Sequence, residues 1–305
     1  MAQQPTKREC PNAFPHVFRH PAVGAPIRSG GWRRVTPLER LAVAVRQRRA
    51  ILFAGAGVSM SVGLPSWAEL ISHMRRDLGL DEDDTVRHWG YQTLAEYYRL
   101  KHGSIGPLRS WMDRTWSVSA ERVKESRIHE LIVKLDFPLL YTTNYDNNLE
   151  LAYQFHDKPY VKIANTCDIV GCEDGLPQIV KFHGDFDDDE TLVLAETDYF
   201  KRLSFEGPLD TKFKADALGR TLLFVGYSMS DLNIRLMLYR LWTTWRESGR
   251  ERDRPASFVF TAKADPVQDA VLENWGITVM HEKADHPATS MLNFLDKLYR
   301  AVEEV

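Results

Sequence analysis

Cysteine and long apolar segments are both scarce in this chain of 305 residues. Its three cysteines, Cys10, Cys167 and Cys172, are too few and too scattered for a disulfide framework, which predicts a reducing compartment. Structural zinc sites use four ligands, and no second cysteine pair accompanies Cys167 and Cys172, so we expect no metal. No segment approaches the roughly 20 apolar residues of a membrane span, and the N-terminus lacks the apolar core of a signal peptide. We therefore expect a cytoplasmic protein without membrane contact.

A strong overall charge is also missing, since the net charge is only −3. Residues 1–37 nevertheless hold six basic residues and one acidic residue, so the remaining chain is acidic. An acidic body argues against direct, sequence-specific binding to nucleic acid. Residues 1–35 are also rich in proline and show no helical or strand periodicity, which predicts a basic N-terminal arm. This arm is either a solvated tail or a segment that becomes ordered against another subunit or a partner.

Short apolar segments that alternate with helical patterns occupy most of residues 36–305. The segments at 50–54, 138–145, 178–182, 221–225, 256–262 and 277–281 have strand character, and 159–164 is extended. Because they lack strict polar alternation and are separated by helices, they predict a parallel sheet covered on both faces, an α/β fold of Rossmann-like type. A helical module is expected as an insert at about 66–135, and Thr36 with Glu39 predicts a capped helix start.

The segment 50–67 has the pattern of a nucleotide-binding strand and turn. An apolar run ends at Gly55, a second glycine follows at Gly57, and a helical pattern begins near Ser66. Glycines allow a tight turn and close approach to a phosphate, and we expect exposed N–H groups and the helix dipole to favour a pyrophosphate. The signal is weak alone, because Met60 stands where the usual dinucleotide fingerprint has its third glycine.

Polar or glycine-rich residues follow four of the predicted strands, at the edge where ligands bind in open parallel sheets. Taken singly, each of these segments is more typical of a turn or a helix cap. The four segments are Gly55-Ala56-Gly57-Val58-Ser59, Thr142-Thr143-Asn144-Tyr145-Asp146, His183-Gly184-Asp185, and Gly226-Tyr227-Ser228-Met229-Ser230-Asp231. The acidic residues at 185–190 could hold a cation, but a solvated loop is the preferred interpretation because no ligand spacing is present.

In their order and spacing these four segments resemble the sirtuins. The first, with Gly63-Leu64-Pro65, resembles the sirtuin cofactor loop; the second resembles the Thr-Gln-Asn-Ile-Asp signature; His183-Gly184 resembles the catalytic His-Gly; and Gly226-Tyr227-Ser228 resembles a later Gly-Thr-Ser turn. The resemblance runs from about residue 40 to 280. It implies that NAD+ binds as a substrate.

Three departures distinguish the chain from protein-deacylating sirtuins. It lacks their four-cysteine zinc ribbon, residues 192–200 differ from their Phe-Gly-Glu peptide-binding strand, and Ser66-Trp67 stands where many of them have Asp-Phe. The chain is more similar to bacterial sirtuin-like domains of anti-phage defence systems, which hydrolyse NAD+. That resemblance implies an NAD+ hydrolase, releasing nicotinamide and ADP-ribose.

The resemblance also implies roles for individual residues. Asn144 and His183 would be catalytic, with Asn144 at a ribose hydroxyl or the water and His183 accepting a proton. Asp146 would hold the nicotinamide carboxamide, and Trp67 would wall the ribose or nicotinamide site. The pyrophosphate would be held by Gly55, Ala56, Gly57 and Ser59, and the adenosine side by Gly226 and Ser228.

Two other functions stay open at this stage: an NAD-dependent protein deacylase, and a non-enzymatic assembly subunit that binds NAD+ or ADP-ribose. The resemblance further implies a homo-oligomer and a separately encoded activator or sensor. That partner would be a DNA-translocating ATPase or an Argonaute-like protein, and the basic arm is a candidate contact for it.

Overall fold

The computed structural model describes residues 35–80, 89–173, 175–229 and 231–304. The predicted arm at 1–35 therefore lies outside the described residues except for Val35, and its interpretation stays a prediction. The described chain forms one seven-stranded parallel sheet in the order β3-β4-β2-β1-β5-β6-β7. The strands are β1 Ala50–Ala54, β2 Leu139–Thr142, β3 Val161–Ile163, β4 Gln178–Lys181, β5 Thr221–Val225, β6 Ser257–Thr261 and β7 Ile277–His281. This confirms the predicted Rossmann-like α/β fold.

Helices connect the strands. They are α1 Pro37–Arg46, α2 Ala56–Met60, α3 Trp67–Asp77, α4 Tyr91–His102, α5 Gly106–Thr115, α6 Ala120–Lys124, α7 Arg127–Lys134, α8 Asn148–Phe155, α9 Thr166–Val170, α10 Glu196–Arg202, α11 Pro208–Leu218, α12 Leu232–Glu247, α13 Pro266–Asn274 and α14 Pro287–Glu304. The predicted cap of α1 is confirmed: the Glu39 amide donates to Thr36 Oγ1 at 3.2 Å, and the Thr36 amide donates to Glu39 Oε2 at 2.7 Å. Helices α9, α10 and α11 were not predicted.

Successive residues of the central strands enter two separate hydrophobic cores, one on each face of the sheet. Leu52 joins the core built with α1, α7 and α14, whereas Ile51 and Phe53 join the core built with α11 and α12. Both faces are covered, so every residue of β1 and β5 is buried. This explains why these strands are continuous apolar runs in the sequence.

The helices between β1 and β2 divide into two groups by their packing. Helices α3, α4 and α5 build a third core that contains Leu70, Met74, Tyr98 and Met112. Helix α7 packs instead against the sheet, with Leu131 and its neighbours in the core of α1 and α14. The first group therefore stands beside the sheet and can wall a site at its edge.

Among the residues described, no helix combines the length and the apolar composition that crossing a membrane requires. The same residues contain no cluster of three or more histidine, cysteine or acidic side chains arranged to hold a metal ion. In the acidic segment at 185–190, Asp185 is buried and pairs with Lys162 at 3.1 Å, while Asp187 pairs with the same lysine at 2.5 Å. The segment is thus only partly the solvated loop that we expected.

Candidate functional site

The chain reverses its direction of travel across the sheet at β1. Strand β2 lies on one side of β1 and β5 lies on the other, so the turns after β1 and β5 are neighbours. In open α/β sheets the crevice at such a switch point, beyond the carboxyl ends of the strands, is where ligands bind. The four polar segments of the sequence follow β1, β2, β4 and β5, which are adjacent strands.

Glycines at this edge let two turns pack closely together. A Cβ atom on Gly55 would lie 2.6 Å from the Gly226 carbonyl oxygen, and one on Gly57 would lie 2.9 Å from the Gly226 Cα. Gly226 itself has a φ of +74°, and its Cβ would lie 2.8 Å from the Val58 nitrogen. No side chain fits at these three positions without moving backbone, so the glycines are required by the contact between the turns.

The expectation of exposed N–H groups on the glycine turn is wrong for both glycines. The Gly55 amide donates to the Val225 carbonyl at 2.9 Å, and the Gly57 amide donates to the Gly226 carbonyl at 2.9 Å. The turn is also already helical, because α2 begins at Ala56 with Gly55 as its N-cap, well before Ser66. A second helix, α3, begins after Ser66, where we predicted one.

A cleft of about 680 Å³ opens above these turns. Six of the ten residues predicted for the site line it, namely Ala56, Gly57, Trp67, His183, Gly226 and Ser228. Other residues of its wall are Tyr91, Thr143, Tyr199, Asp231, Thr261 and His286. A cleft of this size and polarity matches the range of small-molecule sites.

Trp67 is held at the cleft by other aromatic rings. Its ring lies 4.9 Å from that of Tyr91 and meets Trp116 edge to face at 5.4 Å. These contacts belong to the core of α3, α4 and α5. The helices beside the sheet thus fix one wall of the cleft.

His183 follows β4 and is only 2% exposed. Its Nε2 is buried and has no hydrogen-bond partner within the described part of the chain. Burial lowers the pKa of His183 well below its usual value, and the nearby Arg202 guanidinium lowers that pKa further. The imidazole is therefore neutral at physiological pH and can accept a hydrogen bond.

Asn144 lies behind the glycine turn, outside the cleft lining. Its Nδ2 donates to the Gly55 carbonyl at 3.1 Å and to Ser59 Oγ at 3.0 Å. While Nδ2 keeps these two hydrogen bonds, only Oδ1 of Asn144 is available to contact a ligand. Ser59 is 2% exposed and is also absent from the lining, so its hydroxyl supports Asn144 in this arrangement.

Asp146 is also placed below the cleft surface. Its Oδ1 accepts from the Asn148 amide at 3.1 Å, at the start of α8, and Lys181 Nζ donates to its main-chain carbonyl. Lys181 is fully buried, and its Nζ lies 3.3 Å from Glu150 Oε1. Burial raises the pKa of Glu150, and Lys181 opposes that rise. A buried ion pair thus holds the segment that carries Asn144 and Asp146, a feature that the sequence analysis missed.

Tyr91 and Tyr199 on the cleft wall were not predicted from the sequence. Their hydroxyl groups lie 2.7 Å apart, and Tyr199 Oη lies 3.5 Å from Asp231 Oδ2. Both tyrosines come from helices that carry no recognisable motif. Asp231 had a visible signal, since it ends the polar segment after β5 and precedes a helix, as N-cap residues do.

Comparison with known proteins finds a family match for part of the chain. Residues 138–280 match the model of the SIR2-like domain. The chain contains a SIR2-like domain. This match and the relatives below confirm the resemblance inferred from the four sequence segments.

Curated relatives of this SIR2-like domain include two proteins named NAD(+) hydrolase ThsA. The one from Enterococcus faecium is 33% identical over 220 residues, which is 70% of this chain and 44% of the relative. The one from Bacillus cereus (strain MSX-D12) is 31% identical over 230 residues, 72% of this chain and 44% of the relative. Defense-associated sirtuin 2 of Bacillus subtilis is 23% identical over 77% of this chain and 23% of its own length. The chain therefore spans less than half the length of these relatives.

A solved structure of a SIR2 homologue in complex with NAD is 14% identical, with a TM-score of 0.49 over 87% of this chain and 94% of its own. The fold assignment of the SIR2-like domain does not depend on that likeness. It follows from the parallel strand order and from the helices on both faces.

Proposed function

We propose that this SIR2-like domain hydrolyses NAD+ to nicotinamide and ADP-ribose. The observation that carries the proposal is the buried, unpartnered Nε2 of His183 beside a cleft at the carboxyl ends of β1 and β5. The relatives named NAD(+) hydrolase ThsA support the same activity.

We infer the direction of NAD+ in the cleft from the residues that line it. Gly226, Ser228 and Thr261, at the carboxyl ends of β5 and β6, would take the adenosine, and Ala56 with Gly57 would lie along the pyrophosphate. Trp67 and His183 would take the nicotinamide riboside. An aromatic wall suits the flat nicotinamide ring.

Cleavage separates the nicotinamide from C1′ of the ribose, and the leaving nicotinamide takes the bonding electron pair. Positive charge then develops on the ribose, as in glycoside hydrolysis. Water adds to C1′ and loses a proton, so NAD+ and water give nicotinamide, ADP-ribose and a proton. His183, neutral because its pKa is lowered, would accept a hydrogen bond from the ribose hydroxyl or that water through Nε2.

Asn144 and Asp146 would act from behind the cleft surface. Asn144 Oδ1 would accept from a ribose hydroxyl or the water while Nδ2 keeps its bond to the Gly55 carbonyl. Asp146 would hold the carboxamide of nicotinamide, which requires its carboxylate to turn from the Asn148 amide towards the cleft. Gly55 and Ser59 would shape the turn instead of contacting NAD+ directly.

The biological setting that we propose is anti-phage defence, which the name Defense-associated sirtuin 2 supports. Activation by a separately encoded ATPase, translocase or Argonaute-like protein, homo-oligomerisation and cytoplasmic location stay predictions. Each can be tested directly, by turnover measured with and without the neighbouring gene products, by the mass of the purified assembly, and by cell fractionation.

The test of the proposed function is nicotinamide release. The purified protein, with and without its activator, is incubated with NAD+, and nicotinamide and ADP-ribose are separated by chromatography. We expect equimolar release that is lost in His183→Ala and Asn144→Ala. Matched controls are His156→Ala and Asn147→Ala, which should leave release unchanged. Neither residue lines the cleft, and neither is joined to the glycine turn as Asn144 is through the Gly55 carbonyl and Ser59 Oγ. Binding of NAD+ without release under every condition would contradict the proposal and favour an NAD-binding subunit.

A further inference from the structure

The two ring nitrogens of His183 have different surroundings. Nδ1 lies 3.9 Å from Asp231 Oδ2, whereas Nε2 is buried without a hydrogen-bond partner in the described part of the chain. His183 and Asp231 both line the cleft. Which nitrogen carries the proton decides whether the ring can accept a hydrogen bond from a ligand through Nε2.

The two carboxylate oxygens of Asp231 have different partners. Oδ1 accepts from the Asn233 amide at 2.9 Å and from the Ile234 amide at 3.2 Å, which caps the start of α12. Because these two amides need an acceptor, the cap fixes the orientation of the carboxylate. Oδ2 is thereby turned towards His183 and Tyr199.

A pair of tyrosines supports the same oxygen from the other side. The Tyr199 hydroxyl donates to Asp231 Oδ2 at 3.5 Å and lies 2.7 Å from the Tyr91 hydroxyl. The Tyr199 ring also packs edge to face against the His183 imidazole, with centroids 5.5 Å apart. Helices α4 and α10, which carry these tyrosines, thus influence His183 through the Asp231 carboxylate.

We propose that Asp231 is a positioning residue for His183, accepting a hydrogen bond from Nδ1–H so that Nε2 stays the unprotonated nitrogen that can accept a hydrogen bond. The inference rests on the proposed function for its catalytic meaning. The contact at 3.9 Å becomes a hydrogen bond when either side chain moves by about 1 Å. A carboxylate that fixes the tautomer of a histidine by this contact is a common arrangement in hydrolytic sites.

Other charged or titratable groups near this pair are Arg202, Tyr145 and Tyr227. Burial raises the pKa of Asp231, and the Ile234 and Asn233 amides and the Arg202 guanidinium oppose that rise. Burial lowers the pKa of His183, and Arg202 lowers it further, which keeps the ring neutral. The pKa of each tyrosine is raised by burial, so both stay uncharged at physiological pH. The acceptor that faces Nδ1 is therefore Oδ2 of Asp231.

The substitution Asp231→Asn isolates the oxygen that faces the histidine. The amide oxygen of asparagine keeps the cap of α12, and its NH2 group replaces Oδ2 and donates to Nδ1. Nε2 then becomes the protonated nitrogen, which cannot accept. We expect kcat for nicotinamide release to fall by about 10²–10⁴-fold while KM for NAD+ changes little.

Asp265→Asn is the matched control. Asp265 caps α13 in the same way, with Oδ1 accepting from the Val267 amide at 3.1 Å and from the Gln268 amide at 3.0 Å, and it is exposed. We expect both variants to keep the wild-type melting temperature within a few degrees and only Asp231→Asn to lose kcat. Equal kcat in Asp231→Asn and the wild type would overturn the proposal, as would a loss of kcat matched by Asp265→Asn.

The tautomer itself can be measured without any turnover. Two-bond ¹H–¹⁵N correlation spectra of the ¹⁵N-histidine-labelled protein distinguish the two tautomers, and His183→Gln assigns the signal. We expect Nδ1–H in the wild type and Nε2–H in Asp231→Asn. Nε2–H in the wild type would overturn the proposal even if Asp231→Asn did not fold. A wild type that releases no nicotinamide would refute the proposed function alone, because the spectra would still decide the role of Asp231.

Discussion

Gly226→Ala tests whether the turns after β1 and β5 must touch. The substitution adds a Cβ atom 2.8 Å from the Val58 nitrogen and 3.1 Å from the Gly55 carbonyl oxygen, at a φ of +74°. The left-handed backbone costs about 1–2 kcal/mol for a residue with a Cβ. Overpacking against backbone adds about 1–3 kcal/mol. We therefore expect a loss of about 2–5 kcal/mol in the free energy of unfolding.

Gly249→Ala is the matched control for the conformational part. Gly249 has a φ of +68°, and a Cβ there would have no atom within 4 Å. Its expected cost is the conformational part alone, about 1–2 kcal/mol. Urea unfolding of both variants measures the difference, and NAD+ binding by calorimetry should be weakened only in Gly226→Ala. Equal losses of stability in the two variants would refute the argument that the two turns are in obligatory contact.

Three further predictions concern a buried histidine, the aromatic wall and the buried lysine. Burial lowers the pKa of His129 to about 4, so its contribution is present above pH 6.5 and is lost as the pH falls towards 4. Between pH 7.5 and 5.0 the free energy of unfolding should therefore fall by about 2 kcal/mol less in His129→Gln than in the wild type, as measured by urea titration. An equal fall in both proteins would contradict this prediction. Trp67→Ala should raise KM for NAD+ by about 10-fold because a ring contact is lost. Trp89 is half-exposed, and Trp89→Ala should not change KM. Equal KM values in the two variants would contradict the role of Trp67 as a wall of the NAD+ site. Lys181→Met should lower the free energy of unfolding by about 3–5 kcal/mol because it leaves a buried carboxylate unpaired. Lys297→Met removes a surface ion pair and should lower that free energy by less than about 1 kcal/mol. Similar losses for the two variants in urea unfolding would contradict the role of burial.

The strands were predictable because parallel strands that are buried on both faces consist of uninterrupted runs of apolar residues. β1 and β5 are buried at all positions, and both were predicted with their observed bounds. The convergence of the four polar segments followed as well, since parallel strands place their carboxyl ends at one edge. The helix α11 was missed because it lacks a strong apolar periodicity, with only Asp210, Phe213 and Ala217 buried.

Side-chain partners were much less predictable than strands. The partners of the Gly55 and Gly57 amides lie about 170 residues away, at the last residue of β5 and on the turn after it. The sequence around residue 55 therefore could not show that these amides are occupied. The same holds for Asp231 and His183, whose contact joins the N-terminus of α12 to the turn after β4. Local patterns predicted which strand ends meet at one edge of the sheet, while the pairing of side chains required the folded chain.

The most direct test of the account is the structure of the His183→Ala variant bound to NAD+. We expect NAD+ in the cleft at the ends of β1 and β5, with its adenosine beside Gly226 and Thr261 and its nicotinamide beside Trp67. The hydroxyls of the nicotinamide ribose should lie within hydrogen-bond reach of the position that His183 Nε2 occupies in the wild type. A second groove, lined by Gly63, Arg122 and Thr289, adjoins this cleft. NAD+ bound in that groove, or bound in the cleft with its nicotinamide away from position 183, would contradict the central claim.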